Sequence, residues 1–228
     1  MSSARDAILG RVRHGIARAE GDDDAARHAV SARLAGHARG LQPARIAIDH
    51  EALVDLFVEK AQAVDATVSV VNLAADVPEA VADYLRGRNL PAVAAIAPHG
   101  DLDAMDWAEG TMTVHRRAPH PDDAIGINRC FAAVAETGTL IMASGPDSPA
   151  TMNFLPETHI TVVRESDITG SYEDVWDRLR QAGRTGGEAI PRSVNMITGT
   201  SRTGDIEQTL QTGVHGPKAL HIVVVKEG

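Results

Sequence analysis

Between residues 51 and 97 the chain states one pattern twice, and that repetition limits the possible folds more than any other feature. Apolar side chains at Leu53, Leu56, Phe57, Ala61 and Val64 recur at helical spacing across Glu51–Ala66. The run TVSVVNL at Thr67–Leu73 follows with the β-branched residues of a strand. A second helix over Pro78–Arg88 and a second strand over Pro91–Ala97 repeat the unit. Parallel strands need helical crossovers where antiparallel ones need only turns, so this alternation predicts an α/β fold, an open and mostly parallel sheet flanked by helices.

Ahead of this pattern, Ser3–Ala19 and Asp22–Arg39 carry helical spacing (Ile8, Val12, Ile16; Ala26, Val30, Leu34) around the acidic break EGDDD, with few large apolar residues. Such helices are read as packing outside the main domain, packing on a partner subunit, or standing as a solvated arm. Pro43 marks the boundary, giving a helical extension over 1–42 and an α/β domain over 43–228. Beyond Ala97 the stretch Pro98–Asp123 reads as loop with a short strand at Thr111–His115. Strands follow at Ala132–Gly145 and His159–Val163, with a helix at Tyr172–Ala182 and further strands at Val194–Thr198 and Ala219–Val225.

Composition excludes several functions. Thirty-one acidic residues against 22 Lys and Arg leave a formal charge of −9, and aromatic residues are 3% of the chain. There is neither a basic field for phosphates nor a stacking platform for bases, so nucleic acid is not an expected partner. The single cysteine, Cys130, allows no internal disulfide, and without a Cys-x-x-Cys pair the sequence offers no metal or iron–sulfur ligand set. The amino-terminal residues mix charge into their apolar positions, and the longest uncharged apolar run, Leu90–Pro98, is too short to cross a bilayer. The expected setting is the cytoplasm.

Two polar strings carry the chemistry. In the first, Glu136-Thr137-Gly138-Thr139, apolar runs on both sides read as strands joined by a tight turn at Thr137-Gly138. Two readings stand open for Glu136: an exposed residue of an ordinary hairpin, or a carboxylate facing a cleft as base, nucleophile or hydrogen-bond acceptor. In the second, TGTSRTGDIEQTLQTGVHGP at Thr198–Pro217, a loop at Gly199–Thr203 leads into a short helix over Asp205–Gln211, with Asp205 as N-cap and Gly213 as terminator. A loop of small residues entering a helix, with Arg202 beside it, suits a carboxylate or phosphate; the competing reading has Ser201, Thr203 and Asp205 only capping the helix. Gly199–Gly204 has the glycine spacing of a phosphate-binding loop. Asp205 stands where that loop needs Lys, which excludes a nucleoside triphosphatase. His215 sits in a compact turn, and His221, inside the last strand, reads as a packed structural residue.

The second string extended to HIVVV, together with AETGTLIMASG and LPETHITVV, resembles the lactate-utilization protein C family, which carries the LUD domain, over roughly Ile46–Val225. The resemblance implies a fold related to the phosphosugar isomerase and coenzyme A transferase superfamily. It also implies a place in a three-protein system that oxidises L-lactate to pyruvate. Signature positions fall on Glu136, Thr137, Gly138 and Thr139, then on Thr198, Ser201, Arg202, Thr203, Asp205, Glu207, Gly213, His215, Gly216 and Pro217. Two positions depart from the family's pattern: Gly204 where it often has Ala, and Thr200 where it often has Pro. Glu136 and His215 are the candidate catalytic residues; the threonines, Gly138, Ser201, Arg202, Asp205, Glu207 and Gly216 are candidate ligand contacts, with no metal ligand. Ligands of open α/β sheets collect beyond the carboxyl ends of the strands, so the two strings are expected to meet in a crevice there, a substrate carboxylate resting on Arg202. With no flavin, nicotinamide or cluster motif in this chain, the resemblance assigns electron transfer to iron–sulfur partner subunits and makes this chain an accessory or substrate-side subunit. Two alternatives remain: a coenzyme A transferase-like or isomerase-like enzyme using Glu136, and a ligand-sensing or assembly module.

Overall fold

The computed structural model of the chain describes residues 4–16, 22–108, 112–183, 191–204 and 209–226. The chain divides into two compact units, Met1–Leu41 and Gln42–Gly228. The first holds helices α1 (Ala4–Ile16) and α2 (Asp22–Gly36). Their apolar residues Ile8, Val12, Val30 and Leu34 are exposed.

The second unit begins with α3 (His50–Ala63), whose first turn is closed by the Asp49 carboxylate accepting from the Ala52 N–H at 2.9 Å. There follow β1 (Thr67–Val71), α4 (Val77–Gly87), β2 (Val93–Ile96), the single turn α5 (Gly100–Asp103) and β3 (Thr113–Arg116). Next come β4 (Ile125–Arg129), β5 (Ala132–Val134), β6 (Thr139–Ala143), β7 (Thr158–Arg164) and β8 (Ile168–Thr169). The remainder is α6 (Tyr172–Gln181), β9 (Val194–Ile197), β10 (Arg202–Thr203), β11 (Gln211–Thr212) and β12 (Ala219–Val225).

Six strands form the main sheet in the order β1-β12-β7-β4-β2-β3, and every pairing in it is parallel. Its central strands are buried on both faces, which is why β12 reads ALHIVVV without polar alternation beyond His221. Successive side chains of β12 then supply two cores. Val223 and Val225 pack with α4 residues Val77, Val81 and Leu85 on one face; Ile222 and Val224 pack with α3 residues Val54, Phe57 and Ala61 on the other. Each of these Val, Leu, Ile and Phe side chains contributes about 1.5–3 kcal/mol by burial. His221 is a packing residue too: its ring stacks on Tyr84 at 3.9 Å and its Nδ1 meets the Thr67 hydroxyl at 2.9 Å.

A second sheet, β8-β5-β6-β9, lies over the α3 face. Ala133, Leu140 and Met142 point into the shared core, while Ala132, Val134 and Ile141 turn outward to Val175 and Leu179 of α6. The β5–β6 hairpin matches the expected strands around the first polar string, but its loop has four residues, Ala135–Gly138, where a two-residue turn was expected. Strand β4 was not foreseen. The helix expected over Asp205–Gln211 is overturned at its described end: Gln211 pairs with Thr203, and Thr212 with Arg202, as an antiparallel ribbon. Asp205 and Glu207 lie outside the described residues.

Candidate functional site

Both polar strings dock on the last turn of α3. Gly138 has φ +67°, and a Cβ there would lie 2.4 Å from the Ala61 nitrogen; a Cβ on Gly199, at φ +73°, would lie 2.1 Å from the Val64 carbonyl. Only glycine lets the two loops approach this closely. Once seated, the strings are joined by hydroxyls. Thr139, fully buried, contacts Thr137 Oγ1 at 2.7 Å, the Tyr172 hydroxyl at 2.9 Å and Thr198 Oγ1 at 2.7 Å, so the first string fixes the orientation of the first residue of the second.

Thr198 opens onto a crevice of about 240 Å³ lined by the second string and its neighbours, with no residue of the first string among them: Asn153, Phe154, His159, Met196, Ile197, Thr198, Gly199, Thr200, Ser201, His215, Gly216, Pro217 and Leu220. The turn carrying His215 is tied to Ser201 by two backbone bonds, Ser201 N–H to the Pro217 carbonyl at 3.0 Å and Gly213 N–H to the Ser201 carbonyl at 2.9 Å. Thr198, Ser201, His215 and Gly216 are thereby brought together. Among the described residues that line it there is no carboxylate, and its polar side chains are hydroxyls, histidines and the Asn153 amide.

Four sequence expectations change here. The crevice lies at the amino ends of β7 and β12, beside His159 and Leu220, because the second sheet folds back over the main one. The carboxyl ends hold a different cavity of about 340 Å³. There Asp101 takes Arg129 at 2.6 Å and Arg164 at 2.9 Å, and Asp167 takes Arg129 and Arg178, each at 2.5 Å, so its charges satisfy one another. Arg202 does not line the crevice and forms an ion pair with Asp65. Glu136 is also outside it, its carboxylate held by Arg45 at 2.5 Å with 15% of the side chain exposed. Thr203 is buried in the β10 ribbon, away from the crevice lining.

Beneath the crevice lies a polar layer that sequence reasoning did not single out. Asn128 on β4 donates from Nδ2 to Asn153 Oδ1 at 2.8 Å and accepts at Oδ1 from Thr161 Oγ1 at 3.0 Å. His159 Nε2 lies 2.9 Å from that same Oδ1. Burial lowers the His159 pKa to about 4, which keeps the ring neutral near pH 7. Four buried polar residues under an apolar sheet were signalled in the sequence only by interruptions in strand patterning, Asn128 within IGINR and His159 within THITVV. Burial pushes the Cys130 thiol up to about 12, so the one cysteine is no nucleophile at neutral pH. Among the described residues no cluster of three or more His, Cys, Asp or Glu side chains is placed to hold a metal ion, and no helix is long and apolar enough to cross a membrane.

A family model described as LUD domain matches residues 54–225. Lactate utilization protein C of Bacillus subtilis (strain 168) is 38% identical over 101 residues, 44% of this chain and 42% of that protein. Lactate utilization protein C of Halalkalibacterium halodurans is 33% identical over 124 residues, 54% of this chain and 52% of that protein. The chain thus spans about half the length of the curated relatives it matches. A crystal structure of a DUF162 family protein from Deinococcus radiodurans superimposes with a TM-score of 0.57 at 24% identity, covering 78% of this chain and 99% of that one, which supports the fold.

Proposed function

The chain belongs to the LUD domain family, and from that premise we propose that it serves lactate utilization by holding a small 2-hydroxy or 2-oxo carboxylate in the crevice at the amino ends of β7 and β12. The observation that carries the reading is the convergence of Thr198, Ser201, His215 and Gly216 on one small crevice whose described lining residues offer hydroxyl donors and include no carboxylate. Such a lining suits a compact anion, because neutral donors stabilise it and no described lining residue carries a like charge. The relatives named lactate utilization protein C support the substrate class.

Oxidising lactate to pyruvate removes two electrons, and a sequence with one cysteine and no dinucleotide fingerprint supplies no carrier of its own. We therefore assign the electrons to iron–sulfur partner subunits in the cytoplasm and read this chain as the substrate-side or accessory subunit. Glu136, paired to Arg45 outside the crevice, gives an acyl-transfer reading no support from geometry. Capture of the tagged full chain from lactate-grown cells, with mass spectrometry and an iron assay, tests the assignment. Co-purifying iron–sulfur proteins are the expected result; a chain recovered alone and free of iron, with undiminished lactate oxidation on its own, refutes it.

A further inference from the structure

His159 is 1% exposed and lines the crevice, and its Nδ1 has no hydrogen-bond partner among the described residues. Its other nitrogen is fully engaged. Asn128 Oδ1 is an acceptor, since the same amide donates from Nδ2 to Asn153, so the proton of His159 sits on Nε2 and points at that oxygen. A neutral imidazole with Nε2–H leaves a bare lone pair on Nδ1. A buried acceptor without a donor costs about as much as a lost hydrogen bond, so an unpartnered Nδ1 on a residue that lines a ligand-sized crevice is suited to a donor brought by the ligand.

We propose that His159 Nδ1 accepts a hydrogen bond from the hydroxyl of a small hydroxy acid bound in the crevice, and that this contact makes the crevice prefer a 2-hydroxy acid to the corresponding 2-oxo acid. The inference rests on the reading of the crevice as a carboxylate site. A hydroxyl donates into the Nδ1 lone pair; a keto oxygen presents a second lone pair to it and is disfavoured. Asn128 and Thr161, which do not line the crevice, are positioning residues in this arrangement, since they fix the tautomer from below, with Asn153 accepting the Asn128 amide proton at the crevice wall.

The test is calorimetric titration of the full chain with L-lactate, propionate and pyruvate, which share a carboxylate and differ at the second carbon. It is paired with NMR of the chain labelled with nitrogen-15 at histidine. L-lactate is expected to bind about tenfold more tightly than either analogue, the worth of one neutral hydrogen bond gained in a buried site. His159→Phe is expected to bring the three acids to equal affinity. In the unsubstituted chain the Nδ1 resonance of His159 is expected to move with L-lactate and stay with propionate, which keeps the test independent of how well the variant folds. L-lactate binding with an unmoved Nδ1 resonance overturns the inference and leaves the crevice reading standing. Absence of binding by all three acids overturns both.

Discussion

Replacing Gly138 by alanine tests whether the first polar string is seated on α3 as described. Two costs add. An alanine held at φ +67° loses about 1–2 kcal/mol against its relaxed backbone. The new methyl would also lie 2.4 Å from the Ala61 nitrogen and 2.6 Å from the Lys60 carbonyl carbon, where ordinary contact needs 3.4 Å or more. Both obstacles are helix backbone that cannot rotate aside, so α3 or the hairpin must move, at about 1–3 kcal/mol. The sum, about 2–5 kcal/mol, is a large part of the stability of a domain this size. Gly183 provides an internal control: it has the same φ of +67° and nothing within 4 Å of its Cβ position. Gly183→Ala should therefore cost only the backbone term. Urea unfolding of both variants, with equal slopes, isolates the contact as their difference. Equal destabilisation by the two substitutions would refute the seating of the hairpin on α3.

Thr139→Val deprives Thr137, Tyr172 and Thr198 of a shared buried partner and is expected to destabilise by about 2 kcal/mol in the same unfolding assay, with weaker L-lactate binding because Thr198 loses its anchor. Arg202→Ala should leave L-lactate affinity unchanged by calorimetry and cost less than about 1 kcal/mol, because its ion pair with Asp65 is solvent-exposed; lost binding would return Arg202 to the site. Acid should weaken the fold through His159. Its pKa is about 4 when folded and near 6.5 when unfolded, so its contribution is whole above pH 6.5 and disappears as pH falls toward 4, by about 3 kcal/mol. Urea midpoints at pH 7.5 and 4.5 for the unsubstituted chain and His159→Gln measure this, and equal pH slopes would contradict it.

The elements that sequence disclosed are those whose local pattern matches their environment. α3, α4 and α6 carry one apolar stripe each, and β12 is an apolar run broken only by His221 because it is buried on both faces, with the apolar Val162–Val163 just before the end of β7. β4 was illegible because its sequence, IGINR, serves two other needs. Gly126 makes room for Pro156, whose Cγ lies 2.6 Å from the Cβ position, and Asn128 supplies the buried amide under the crevice. The β10–β11 ribbon was masked by a capping-box pattern, a local signal overridden at Gln211 by pairing with Thr203. At the site, the clustering of Thr198, Ser201, His215 and Gly216 was legible as a motif. The diversion of Glu136 to Arg45 and of Arg202 to Asp65 was not, since each partner is distant in sequence and has no mark of its own. His159 escaped notice because a histidine inside an apolar strand looks like packing, which is all that His221 does.

The place of β12 in the sheet sets a timetable for the ribosome. Among the described residues β1 pairs with β12 and with no other strand, so Thr67 meets its neighbour His221 only after 154 further residues have been made. At ordinary elongation rates that is a wait of roughly 10–30 s, during which an apolar strand edge stands open. β4 and β7 can pair earlier, but the β12–β7 pairing likewise waits for β12 to emerge, so main-sheet completion depends on contacts of high sequence separation and is correspondingly slow. A nascent chain held in this state is the form most exposed to chaperones, and to edge-to-edge aggregation when they are scarce. Pausing mutations between β9 and β12 should therefore lower soluble yield without altering the melting point of the protein that does fold.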